Sequence, residues 1–144
     1  MIFDKKKSNE IAQRLLGMTF ELGGRGPNKI DCYGILCLFY AEFGIEMPDF
    51  TKLDDWEADG HNSSFYLDQY TSLARKLSED ESPERGDFIL FKNIEGSPNH
   101  AGVYLGDNRF IHSYQKVGVK IDSLTQRPWK EKVSGYFRIR NQND

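Results

Sequence analysis

From Gly86 to Arg140 the sequence is a succession of short runs rich in β-branched and aromatic residues, each closed by turn residues, and this stretch limits the fold more than any other. The runs fall at 87–92 (DFILFK), 100–105 (HAGVYL), 109–113 (RFIHS), 117–122 (VGVKID) and 133–140 (VSGYFRIR). Strands this short, with so few residues between most of them, must return antiparallel, because a parallel connection needs a crossover of a dozen or more residues. An antiparallel meander follows.

The first half of the chain carries a helical period instead. A helix is expected from Ser8 to about Gly17, with Ser8 as N-cap, Ile11, Leu15 and Leu16 on one face and Gly17 as stop. The connector GMTFELGGRGPNKI, with Gly23, Gly24, Gly26 and Pro27, is turn-rich and leads to a second helix from Cys32 to about Phe43 that stops at Gly44. Residues 45 to 61 read as an acidic loop longer than the usual connection, and a third helix is expected from about Ser63 to Leu77, with Phe65, Leu73 and Leu77 turned inward. Helices first and strands afterwards give an α+β fold, with N-terminal helices packed on a five-stranded antiparallel sheet. At 144 residues and 38% hydrophobic content, residues 1–144 form a single domain. A chain of this length buries roughly 70% of the surface its unfolded form exposes.

Composition removes several classes of function. A net charge of −3 argues against nucleic acid as the main partner, since phosphate binding calls for a clustered basic surface. The charge is uneven: residues 42 to 87 carry 13 acidic and 4 basic side chains, and residues 109 to 144 carry 8 basic and 3 acidic ones. Such runs are either solvated faces or docking surfaces. The opening MIFDKKKSNE lacks the apolar stretch of a secretory signal, and no segment approaches the roughly 20 apolar residues of a membrane span, so synthesis in the cytoplasm without membrane insertion is expected. Cys32 and Cys37 lie five apart on one helix, a spacing that does not favour a bridge, and with His100 and His112 they show neither C-x-x-C nor H-x-x-x-H metal spacing.

Cys32 stands behind Asp31 at the first turn of a predicted helix. Unpaired backbone N–H groups and the positive end of the helix dipole favour thiolate there, and the same N–H groups can hold an oxyanion. Asp31 suits the N-cap, and Gly34 keeps the surface beside the sulfur low. The competing reading is a small buried apolar residue, which is how Cys37 is read. A nucleophilic thiol needs a base, and the chain has three histidines. His61 sits in the acidic loop. His100 and His112 flank a hairpin whose turn is Gly106, Asp107 and Asn108; a three-residue loop pairing Leu105 with Arg109 and Gly102 with His112 sets both imidazoles on one face as diagonal neighbours. One could then take the thiol proton while the other orients it, or the two could form a structural pair.

The stretches IDCYG, ERGDFILF and HAGVYLGDNRFIHS resemble the NlpC/P60 cysteine peptidases, and together the resemblance spans about residues 17 to 113. It implies a papain-like α+β fold, Cys32 as nucleophile, His100 as base and His112 as the residue orienting it, with no metal or organic cofactor. The implied substrate is the stem peptide of bacterial peptidoglycan. Phe20 stands where many members carry Tyr, and Tyr33 follows the nucleophile where others carry Ser, so Phe20, Asp31, Tyr33 and Gly34 are the residues expected to shape the subsites. The run DCYGILCLFYAEFGIEMPDF is similar to phage members associated with tail assembly or the tail tip, which implies tail proteins as partners and a virion that carries the chain to the cell wall. Three functions follow from the same residues: a peptidoglycan endopeptidase, a tail structural protein on the same fold, and acyl or amide transfer on a substrate outside the wall.

Overall fold

A computed structural model describes residues 2–21, 24, 26–47, 73–94 and 97–140 of the chain. Helix α1 spans Lys5–Leu15 and begins at Asp4, whose extended backbone and carboxylate cap the Lys7 N–H at 2.9 Å. The start therefore lies one turn ahead of the expected Ser8. The three lysines tolerate helix well, Asp4 supplies a cap, and Ser8 is buried inside the helix. Helix α2, Cys32–Ala41, is capped by Asp31 through the Gly34 N–H at 2.7 Å and unwinds through a turn that closes at Gly44, φ +77°.

Six strands form one sheet: β1 (Ala74–Lys76), β2 (Phe88–Ile94), β3 (Ser97–Gly106), β4 (Arg109–Tyr114), β5 (Gly118–Ser123) and β6 (Val133–Ile139). Their order is β1-β6-β2-β3-β4-β5, with every neighbouring pair antiparallel. The expected five strands are all present, and a sixth, β1, falls in the stretch read as the end of a third helix. Residues 63–72 of that helix, like His61 and residues 48–60 of the acidic loop, lie outside the described residues. At 74–76 the helical spacing of Leu73 and Leu77 loses to the open edge of β6: Leu77 N–H donates to the Tyr136 carbonyl at 2.8 Å and Arg140 N–H to the Leu73 carbonyl at 2.7 Å. The meander is also incomplete, because β6 crosses back to pair with β2 rather than extending the sheet beyond β5.

The sheet has two apolar faces. Phe88, Leu90, Ala101, Val103, Ile111 and Val119 join the core beneath α1 and α2, where Tyr33, Ile35, Leu36, Phe39 and Tyr40 are buried. Ile89, Phe91, Tyr104 and Phe110 face the other way, under Leu124 and the Trp129 of a short helix α3, Trp129–Lys132, that the sequence pattern did not suggest. Both faces of β2 are thus dry, which explains its continuous FILF run.

Candidate active site

The turn that carries Cys32 is built by the glycine-rich connector. Ile30 N–H donates to the Thr19 carbonyl at 2.9 Å and Asp31 N–H to the Gly24 carbonyl at 3.2 Å, so the connector folds back against the helix start. A Cβ on Gly34 would lie 2.5 Å from the Gly24 carbonyl oxygen and 2.5 Å from Ile30 Cγ1. Gly34 is therefore required for packing the connector against α2, a different task from the one expected of it beside the sulfur. Two bonds fasten the connector to the sheet: Ser113 Oγ donates to the Ile30 carbonyl at 2.7 Å, and Val119 N–H donates to the Met18 carbonyl at 2.9 Å. The first of these links the residue two positions ahead of Cys32 to the residue next to His112.

Cys32 opens α2 with no surface exposure, and Cys37 is partly buried against the core. Asp31, Tyr33 and Gly34, three of the residues expected to shape subsites, are buried as well; the Tyr33 side chain belongs to the core under the sheet. Phe20 is partly exposed. Asp31, Tyr33 and Gly34 thus bear on the site by fixing where the helix start lies.

His100 and His112 are brought together, though by a turn other than the one expected. Asp107 (φ +53°) and Asn108 (φ +64°) make a two-residue turn between the paired Gly106 and Arg109, and Leu105 is the extra residue of a bulge. The bulge restores the register that a two-residue loop alone would have lost, so Gly102 still pairs with His112. His100 Nε2 and His112 Nδ1 are 2.7 Å apart, and His112 Nε2 lies 2.7 Å from Asp122 Oδ2. Both imidazoles are fully buried, and the Asp122 side chain is 11% exposed. His100 Nδ1 has no hydrogen-bond partner among the described residues.

Asp122 is the residue that sequence reasoning missed. Its signal lay in the β4–β5 hairpin: Tyr114 pairs with Gly118, which sets Lys120 opposite His112 and Asp122 one diagonal step away on the same face.

Aromatic rings wall the relay. Trp129 lies edge-on to His112 at 4.6 Å and stacks on His100 at 5.8 Å, Tyr114 stacks on His112 at 5.0 Å, and Phe91 and Phe110 fill the remaining sides. In these surroundings burial, and then the neighbouring His112, push His100 well below the ordinary imidazole range. Burial lowers His112 too, against the opposing pull of Asp122. For Asp122 burial works upward, but the bond and charge of His112 and the Lys120 ammonium, 3.5 Å from Oδ1, bring the carboxyl below its ordinary value. Near neutrality the site holds two uncharged imidazoles and one carboxylate. Among the described residues no group of three or more His, Cys, Asp or Glu could hold a metal ion, and no helix is long and apolar enough to cross a membrane.

The chain is similar in sequence and fold to known proteins. The chain is 32% identical over 126 residues to the tail tip assembly protein K of Escherichia phage lambda, covering 88% of this chain and 59% of that protein. It is 30% identical over 125 residues to a probable endopeptidase NlpC homolog of Haemophilus influenzae, covering 86% and 57%. The chain thus spans a little over half the length of these two relatives. An NLP/P60 family protein of Staphylococcus aureus, described as similar to lipoprotein, shares the fold with a TM-score of 0.68 at 23% identity, over 97% of this chain and 43% of that one. The NlpC/P60 family profile matches residues 17–138, from the glycine that ends α1 to the last strand, and the chain belongs to the NlpC/P60 family.

Proposed function

We propose that this chain is a cysteine endopeptidase that hydrolyses amide bonds in the stem peptides of peptidoglycan. The observation that carries the reading is the His100–His112–Asp122 chain, whose far, buried imidazole keeps an Nδ1 with no partner among the described residues while the adjoining strand residue, Ser113, holds the approach to Cys32. His100 Nδ1 takes the Cys32 thiol proton, and the sulfur attacks the amide carbonyl carbon. Backbone N–H groups at the start of α2 receive the developing oxyanion. Collapse breaks the C–N bond, the leaving nitrogen takes the proton from His100, and the acyl group remains on sulfur as a thioester. Water, deprotonated by His100 Nδ1, then attacks the thioester carbon, giving the free acid and restoring the thiol.

The test is digestion of purified peptidoglycan by the wild-type and Cys32→Ala proteins, with products resolved by mass spectrometry. New amino termini are expected from the wild type alone; cleavage by Cys32→Ala would remove the mechanism.

A second reading is favoured by the likeness to a phage tail tip assembly protein and by the unequal charge of the two halves. In it the chain is a tail component, carried by the virion to the cell wall, and its acidic segment and basic C-terminal half dock on other tail proteins. A virion that contains the chain in stoichiometric amount and infects normally with Cys32→Ala would place this role first.

A further inference from the structure

Asp122 is a largely shielded charge on which no step of the proposed chemistry acts directly. We propose that Asp122 is a positioning residue that dictates, through His112, which nitrogen of His100 carries the proton. An ionised carboxylate can only accept, so the 2.7 Å contact requires that His112 carry its hydrogen on Nε2. His112 Nδ1 is then a lone pair, and the second 2.7 Å contact requires His100 to donate from Nε2. A neutral imidazole has one N–H, so the remaining lone pair of His100 must lie on Nδ1, the nitrogen without a partner among the described residues. Reversing either tautomer would put the proton on that nitrogen and leave His100 unable to accept one. The carboxylate thus acts across two rings, and it stays ionised because its carboxyl is held below the ordinary value.

The groups facing the relay agree with this direction. Lys120, opposite His112 on β5, lies 3.5 Å from Asp122 Oδ1 and occupies that oxygen, leaving Oδ2 for the imidazole. Tyr114 and Trp129 meet His112 through their rings, and Phe91 and Phe110 offer no polar atom. The catalytic consequence rests on the cysteine peptidase reading, whereas the tautomers rest on the hydrogen-bond chain alone.

The two are separated by measuring both. In the full chain labelled with 15N-histidine, long-range proton–nitrogen correlation near neutral pH is expected to show Nε2–H on both His100 and His112. In Asp122→Asn, Lys120 keeps the amide oxygen on its own side and the amide NH2 faces His112, so both tautomers should invert. Iodoacetamide labelling of Cys32 should then fall by about 10³-fold or more. Asp122→Ala, which imposes no direction, should lose less than the isosteric Asn; a merely structural role predicts the opposite order. A wild-type His112 protonated on Nδ1, or an Asp122→Asn protein with unchanged tautomers and labelling, would overturn the inference. Correct tautomers in a wild-type protein that cleaves no cell wall would uphold the relay and reject the peptidase reading.

Discussion

Replacing Gly34 with alanine tests how Cys32 is held. The new methyl carbon would meet the Gly24 carbonyl oxygen and Ile30 Cγ1 at 2.5 Å each, where ordinary contact begins at 3.4 Å, so the connector must retreat by most of an ångström. One obstacle is backbone, and that carbonyl also accepts the Asp31 N–H, so the displacement passes to the N-cap and on to Cys32. Two effects compete. Alanine inside a helix gains about 1 kcal/mol over glycine, while overpacking of this kind costs about 1 to 3 kcal/mol. The net change is a loss of roughly 0 to 2 kcal/mol, or a few degrees in Tm. Reactivity should suffer far more, since a misplacement of about 1 Å can cost on the order of 10²-fold. Urea denaturation and the iodoacetamide labelling rate of Cys32, measured on the same preparation, separate the two. A Gly34→Ala protein about 1 kcal/mol more stable than wild type, with its labelling rate unchanged, would refute the claim that this close approach positions the nucleophile.

Acid should destabilise the fold through the buried imidazoles. Both are held below the ordinary value of 6.5, so as pH falls through that value the unfolded chain binds protons that the folded chain refuses, and stability declines. Each imidazole contributes about 1.4 kcal/mol per pH unit until its folded form protonates, and urea titrations between about pH 7 and pH 5 should show a flatter decline in His100→Phe; an equal slope would contradict this account. At the other end of the sheet, Arg138 pairs with the buried Asp87 through two bonds of 3.0 and 2.9 Å. Arg138→Ala should cost about 3 kcal/mol by leaving that carboxylate without its counter-charge, and a loss well under 1 kcal/mol by chemical denaturation would show that water replaces the guanidinium.

Local patterns make much of the fold legible in the sequence. The alternation in HAGVYL and RFIHS gave two strands, and Asp31 ahead of Cys32 gave the start of α2, because both signals lie within a few residues of what they determine. The register of the imidazole hairpin was readable for the wrong turn: positive φ at Asp107 and Asn108 was foreseeable, but the compensating bulge at Leu105 arises from pairing across the sheet. Strand β1 was lost for a similar reason, since Ala74–Lys76 is extended only because β6 offers it an edge. Asp122 required a second hairpin register to be worked out, and Tyr33 drew attention as a neighbour of Cys32 although its helical position turns it into the core.

The placement of β6 has a consequence for the integrity of the protein. Although it is the last of the described strands it lies inside the sheet, with β1 on one side and β2 on the other. Translation therefore delivers α2 and the relay hairpins before the strand that joins them to β1. Until Val133–Ile139 arrive, β2 offers an unpaired edge along the apolar run Phe88–Phe91, a template for association with another chain. Loss of β6 would thus convert the middle of the sheet into a sticky margin, and a truncation ahead of Val133 should precipitate rather than persist as a smaller folded domain.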